Sequence, residues 1–257
     1  MAREIADFTG LVISRQSYRE SDLLVKMLTD QFGKLTFLLN RARKPGFRFA
    51  AGILPFTVGI YVGDIRRPGL SFISAVKEAR QFQTISQDIM LNAYASYVLS
   101  LVDLAFPEGE LLGPWFDQAQ QSLSLIDAGQ DPQVVTNISE IQLLQAFGVE
   151  PHWRDCVICH RTDLPFDFSE RYGGVLCQQH WHLDDHRYHL SARSIYWLRL
   201  FSVIKLDQVN QIDLKPATKQ EMQVAIDRMY DNMVGVTPKA KRFLDQMKKD
   251  PGFGGQE

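Results

Sequence analysis

Cys156-x2-Cys159 is followed, after seventeen intervening residues, by Cys177-x2-His180. No other cysteine occurs in the chain. Two knuckles at this spacing bring four soft or borderline ligands to the corners of a tetrahedron, the construction of a closed structural Zn2+ site. An odd cysteine count without further pairing partners argues against disulfides, and with no N-terminal signal segment it points to a reducing cytoplasm.

The fourth ligand is the open point, because all six histidines (His152, His160, His180, His182, His186, His189) fall in one short stretch. Spacing favours His180, and His182 is the alternative. His160 directly follows Cys159 and is expected to point away. A second metal site can be drawn from His182, His186 and Asp184 or Asp185, but solvated side chains on a loop are the preferred reading. A catalytic zinc needs an open coordination position and a general base. Neither H-x-E followed by P-C-x-x-C nor H-E-x-x-H is found.

The chain has 257 residues, 45% of them hydrophobic and 23% charged, which fits a soluble protein of about two domains. Ile89 to Val102 is apolar but carries Asn92 and two serines, and it ends at Asp103. That is short of the roughly 18 residues of a spanning helix and reads as a buried one. A net charge of −2 conceals strong segregation: residues 1–80 carry +6, residues 81–150 carry −9 without a single Lys or Arg, and residues 151–257 carry +1. Such a division implies two surfaces with different partners.

The first segment reads as strands. Leu35, Phe37 and Leu39 alternate with Thr36, Leu38 and Asn40 between Lys34 and Arg41; Phe56, Val58, Ile60 and Val62 alternate with Thr57, Gly59 and Tyr61. Both have the period of a half-buried strand. Further strands are expected at Thr9–Arg15, Leu23–Thr29 and Leu70–Glu78, with turns at Asp30-Gln31-Phe32-Gly33 and Arg66-Arg67-Pro68-Gly69. Five short strands in about 80 residues suit a five-stranded OB-type barrel.

Helical spacing takes over afterwards. Ser86 is the expected cap of a helix with the face Ile89, Ala93, Tyr97, Leu101, Leu104, stopped by Pro107. Gly113-Pro114 and Asp131-Pro132 start two more, with Gly148 as the C′ residue of the latter. Ser191–Val203, Pro216–Val234 and Pro238–Lys249 follow. The stripe Met222, Ile226, Met229, Met233 is read as core. The organisation expected is α+β: a barrel over 1–80, a helical domain over 81–150 and 191–249 with a zinc module inserted over 151–190, and a disordered tail at 250–257.

Between Asp30 and Asp64 there is no acidic residue, yet Lys34, Arg41, Arg43, Lys44 and Arg48 occur there, interleaved with Phe37, Phe47 and Phe49. On a small barrel, cations that follow phosphates and rings that stack on bases suit single-stranded nucleic acid. Arg66 and Arg67 on the neighbouring hairpin are possible extra contacts. Phe37 is expected in the core, with Phe47 and Phe49 the candidate stacking rings.

These residues carry a resemblance. Thr9-Gly10-Leu11-Val12, Tyr18-Arg19-Glu20-Ser21-Asp22, Thr29-Asp30-Gln31-Phe32-Gly33-Lys34, Arg41-Ala42-Arg43-Lys44-Pro45 and Leu54-Pro55-Phe56 lie in the first third. Cys156-x2-Cys159, Phe168-Ser169, Gly173-Gly174-Val175-Leu176-Cys177 and Lys241-Arg242-Phe243-Leu244 follow. In this order, over about 240 residues, the chain resembles the RecO family of bacterial recombination mediators in DNA repair. Two departures are His180, where many relatives have a fourth cysteine, and Asn40, where the A-R-G-A-R-K run usually has a glycine nearby.

The resemblance implies an N-terminal OB-type barrel, a helical domain and an inserted zinc module. It further implies a cytoplasmic, nucleoid-associated protein that is no enzyme. Such a protein binds single- and double-stranded DNA, anneals complementary strands and works with RecR to load RecA onto strands covered by single-stranded DNA-binding protein (SSB). The sequence has no P-loop and no Gly-rich dinucleotide fingerprint. The rival readings are a zinc-ribbon scaffold without DNA affinity and a metal-dependent nucleic-acid enzyme. The acidic, aromatic-ended SSB tail would need an apolar slot beside a cation. Ile89, Tyr94, Tyr97 and Trp115 can offer the slot, and Lys239, Lys241 or Arg242 the cation.

Overall fold

The computed structural model describes residues 2–67, 69–209 and 212–249, with the side chains of Ala2, Arg3 and Arg67 outside that description. The expected tail at 250–257 also lies outside the described residues. The chain divides into two compact units, one of residues 1–129 with the chain from Ala240 onward, the other of Gln130–Lys239.

The first unit opens with β1 (Ala2–Tyr18), β2 (Asp22–Thr29), β3 (Gly33–Leu39), β4 (Thr57–Arg67) and β5 (Phe72–Gln81). They form an antiparallel sheet in the order β3-β2-β1-β4-β5. β1 is far longer than the expected Thr9–Arg15 because its halves have different partners: residues 2–11 pair with β4, residues 10–18 with β2, and a bulge between Val12 and Ser14 bends it. The sheet curls until Phe37 of β3 meets Ser71 in one parallel bridge, with Leu38 N–H donating to Ser71 O at 2.8 Å. The barrel is therefore of OB type, but its closing seam is one bridge, not a strand ladder.

Leu35, Phe37 and Leu39 point inward as their alternation requires. In β4 the period holds, but the buried face is Thr57, Gly59 and Tyr61, while Ile60 is exposed. The reason lies on the neighbouring strand. A Cβ on Gly59 would sit 2.3 Å from the Glu78 carbonyl oxygen, so this face of β4 packs too closely for a side chain there. The buried Tyr61 ring then stacks on Phe8 at 5.7 Å, and its hydroxyl donates to Gly52 O at 2.6 Å.

Three helices follow: α1 (Gln83–Gln87), α2 (Ile89–Ala105) and α3 (Pro114–Asp127). The cap of α2 is Asp88 and not Ser86: its carboxylate accepts from the N–H groups of Met90 and Leu91, while the Ser86 hydroxyl donates back to Phe82 O. Ala93, Tyr97 and Leu101 are buried, whereas the two ends of the expected stripe, Ile89 and Leu104, are about half exposed.

The end of α2 straps the barrel. Asp103 lies 3.0 Å from Lys26 Nζ and 2.9 Å from Lys34 Nζ; Gly109 N–H donates to Lys34 O, and Thr36 N–H donates to the Glu108 carboxylate. Gly33 has φ +72, and a Cβ there would lie 1.8 Å from the Glu110 carbonyl oxygen, so glycine is required where the strap crosses. Burial acts to raise the Asp103 carboxyl, but hydrogen bonds and charge from Lys34 and Lys26 outweigh it and hold the group below its ordinary value. A carboxyl with a depressed folded value stabilises the protein above the unfolded value of about 3.9 and loses that contribution as pH falls through the folded one. Asp103→Asn is thus expected to cost about 1 kcal/mol at pH 7. The difference from the parent, measured by urea unfolding, should be constant above about pH 5 and shrink as pH falls through the depressed folded value.

In the second unit α4 (Pro132–Leu143) is capped by Asp131, whose carboxylate accepts from Gln133 and Val134 N–H, and the chain leaves its last turn through left-handed Gly148. A hairpin of β6 (Phe166–Ser169) and β7 (Gly174–Cys177) comes next, then α5 (Ala192–Phe201) with Ser191 as its cap, and α6 (Pro216–Met229). α4 packs on both α5 and α6. Met222, Ile226 and Met229 are wholly buried, as a core stripe should be, but Met233, the last of the expected stripe, lies past the end of α6 in the turn Tyr230–Val234 and is only partly buried. α7 (Lys239–Lys249) returns to the first unit, where Lys241 lies over Tyr97 and Lys248 over Tyr94 of α2. No helix among the described residues is long and apolar enough to cross a membrane.

Candidate metal centre and nucleic-acid interface

The β6-β7 hairpin organises the metal ligands. Residues preceding the first knuckle run beside β7: His152 N–H donates to Gly173 O, Val175 N–H to His152 O and Val157 N–H to Val175 O. Cys156 is thereby set against Cys177 at the end of β7, and the tight turn after it, Gln178–Leu183, swings His180 back. Trp181 Nε1 donates to Leu176 O and anchors that turn.

The Sγ atoms of Cys156, Cys159 and Cys177 and Nδ1 of His180 all lie within 4.8 Å of one another. Cys159 and Cys177 sulfurs are 3.7 Å apart, and His180 Nδ1 is 3.3 Å from Cys177 Sγ and 3.6 Å from Cys156 Sγ. Metal bonds of about 2.3 Å to sulfur and about 2.0 Å to nitrogen at tetrahedral angles give S···S near 3.8 Å and S···N near 3.5 Å. The donor set therefore fits one four-coordinate ion. Burial alone would raise the Cys156 thiol, but N–H groups of Cys177, Cys159 and Ile158 lower it to about 6. Cys177 moves up, first through burial.

Among the described residues this is the only metal-competent group of three or more such ligands. His160 turns away to Asp155, at 3.1 Å, with a left-handed backbone. The Asp184 carboxylate accepts from Ser169 Oγ and from His186 N–H, so the alternative cluster of His182, His186, Asp184 and Asp185 does not assemble.

The basic residues are placed unequally. The loop from Asn40 to Ala50 is pinned at its base by Asp22, which accepts from Arg41 N–H, and by Ser21 O, which accepts from Arg43 N–H. Arg41, Arg43, Lys44 and Arg48 are exposed on it, and among the described residues none has a carboxylate partner. Arg43 donates to Glu20 O; Arg48 donates to Ser74 O and lies over the Phe49 ring at 4.3 Å. Phe47 and Phe49 meet edge to face and pack, partly buried, on the barrel core, and Phe37 is fully buried there.

Lys34 and Arg66 differ from these. Lys34 is bound by Asp103 with a side chain only 12% exposed, and Arg66 pairs with Asp64 at 2.7 Å. The Arg67 side chain lies outside the described residues. On α7, Lys239 and Arg242 are exposed, while Lys241 is buried with its ammonium 2.7 Å from Asp245. Asp103 was invisible to spacing because its two lysine partners are 69 and 77 residues away.

A five-stranded OB-type barrel, a helical body and a Cys3His centre define the chain as a barrel-bearing, metal-competent protein. Comparison with known proteins completes the assignment. Residues 1–82 match the family described as recombination protein O N terminal, and residues 86–242 the one described as recombination protein O C terminal. The DNA repair protein RecO of Latilactobacillus sakei is 56% identical over 241 residues, covering 94% of this chain and 89% of its own length. That of Levilactobacillus brevis is 53% identical, covering 96% and 95%, and that of Lactiplantibacillus plantarum 51% identical, covering 95% and 94%. The chain belongs to the RecO family, and its function lies in DNA repair and recombination.

Proposed function

We propose that this protein is a non-catalytic recombination mediator: it binds single- and double-stranded DNA, anneals complementary strands and, with RecR, promotes RecA loading onto SSB-covered strands. The observation that carries the DNA contact is the Asn40–Ala50 loop, where four exposed cations lack carboxylate partners on a barrel of OB type. Arg41, Arg43, Lys44 and Arg48 are the phosphate contacts in this reading. Lys34 and Arg66, already neutralised by Asp103 and Asp64, fall outside the principal set. The ion of the Cys3His centre is a structural zinc: four protein ligands leave no open position for chemistry. For the SSB tail, Lys239 and Arg242 remain the exposed cations of the expected set, since Lys241 is held by Asp245.

If four cations neutralise phosphates on a single strand, log K should fall against log salt with a slope near −3. Anisotropy of a labelled single strand, titrated at several salt concentrations, reads this directly. Arg43→Glu/Lys44→Glu is expected to flatten the slope by about 1.4 as two contacts are lost. Affinity equal to the parent's at the same salt would remove the loop from the interface.

A further inference from the structure

α5 carries a feature that the mediator reading does not use. Tyr196 is 59% exposed on its surface, and Trp197 beside it is only partly covered. The two rings stand 5.4 Å apart at 80°, and Trp197 is steadied from behind by Phe201 at 5.9 Å. They form a corner over a cleft of about 410 Å³ that Arg193, Asp213, Leu214 and Lys215 complete. That volume lies within the roughly 300–1,000 Å³ typical of small-ligand sites.

We propose that this cleft is a second single-strand contact, in which one nucleobase stacks on the Tyr196 and Trp197 corner while Arg193 and Lys215 meet the flanking phosphates. A planar ring laid on one wall of a perpendicular pair presents its edge to the face of the other, so both aromatic geometries are satisfied at once. Arg193 and Lys215 are exposed, and among the described residues neither has an ion-pair partner, although Asp213 lines the same cleft. Lys215 is also the residue before α6, where its carbonyl oxygen accepts from the Thr218 and Lys219 N–H groups, so the anion contact it offers is its side-chain ammonium. Asp213 constrains how the strand lies: its carboxylate can accept from the exocyclic amine of a base and would repel any anion beside it, so the base faces Asp213 and the flanking phosphates sit at Arg193 and Lys215.

This inference rests on the DNA reading above, and one experiment separates their failures. A single strand with 5-iodouracil substituted along its length is bound to the full protein, irradiated, and the cross-linked peptides are mapped, alongside affinity measurements on exposed-site variants. The expected result is a cross-link within Arg193–Trp197 that persists in Arg43→Glu/Lys44→Glu, with Tyr196→Ala weakening single-strand binding about tenfold. Tyr196→Phe should retain the affinity, and Arg193→Ala should flatten the salt slope by about 0.7. Cross-links confined to the barrel, with Tyr196→Ala unchanged in affinity, overturn the α5 site and leave the barrel assignment standing. No salt-dependent binding by the parent protein overturns both. An acidic, aromatic-ended peptide whose binding is lost in Tyr196→Ala while DNA binding is unaffected also overturns the proposal. Because Tyr196 is exposed, its variants should keep the parent's far-UV circular dichroism and metal content.

Discussion

Cys177→Ser is expected to release the metal and loosen residues 152–190 while the barrel stays folded. Structural zinc supplies about 10–16 kcal/mol of apparent binding free energy to small modules at neutral pH. Little else in this segment can replace that. Its strands are four residues each, and its apolar centre is a small ring cluster in which Phe168 stacks on Trp153 at 4.9 Å and meets Tyr188 edge to face. Hydrogen exchange should therefore show protection lost across 152–190 and kept across β1 to β5. Elemental analysis is the companion measurement: protein purified without chelator should contain one zinc per chain, and the variant none. A parent protein free of zinc would sink the assignment. Full occupancy in His180→Ala would transfer the fourth position to His182. A cobalt-substituted spectrum characteristic of four protein ligands would exclude an open catalytic site.

What the sequence disclosed, and what it withheld, divides along the range of the interactions concerned. The choice between His180 and His182 waited on the turn Gln178–Leu183 that brings His180 to the sulfurs, whereas Cys156, Cys159 and Cys177 could be read directly because the knuckle spacing itself encodes the geometry. Leu35, Phe37 and Leu39 were legible for the same reason, since alternation within one strand fixes its buried face. Helix starts at Pro114, Pro132 and Pro216 followed from local backbone chemistry. The buried face of β4 was not legible, because it is set by how closely Gly59 approaches Glu78 on the next strand. The length of β1 was hidden because its two halves are stabilised by different partners. The basic run looked uniform in sequence, yet Lys34 is neutralised by an aspartate 69 residues away while Arg41, Arg43 and Lys44 are not. Charge counting sees composition; only the fold shows which charges remain uncompensated.

The second large effect is expected at a pair that spacing could not reveal. Asp167 and Arg187 are both nearly buried, at 5% and 12% side-chain exposure, with Arg187 Nε 3.2 Å from Asp167 Oδ2. The contact is an ion pair without hydrogen-bond alignment at Nε; the same guanidinium donates through another nitrogen to Trp181 O and Asp184 O and lies over the Trp181 ring. Asp167 in turn accepts from the N–H groups of Phe168, His189 and Leu190. The pair thus ties β6 to the chain on both sides of the segment's exit, within a few residues of the turn that carries His180. Asp167→Ala removes the acceptor of three backbone donors and leaves a buried guanidinium without its counter-charge, so it should destabilise this unit by about 3–5 kcal/mol. That is a large share of a typical domain's roughly 5–15 kcal/mol. Arg187→Met should cost less, because the three N–H groups still satisfy Asp167. The double variant should cost less than the sum of the two, since the stranded charge is then gone. Denaturant unfolding of the four proteins closes this cycle, and a fully additive result would show that the two side chains act independently and that the pairing contributes nothing.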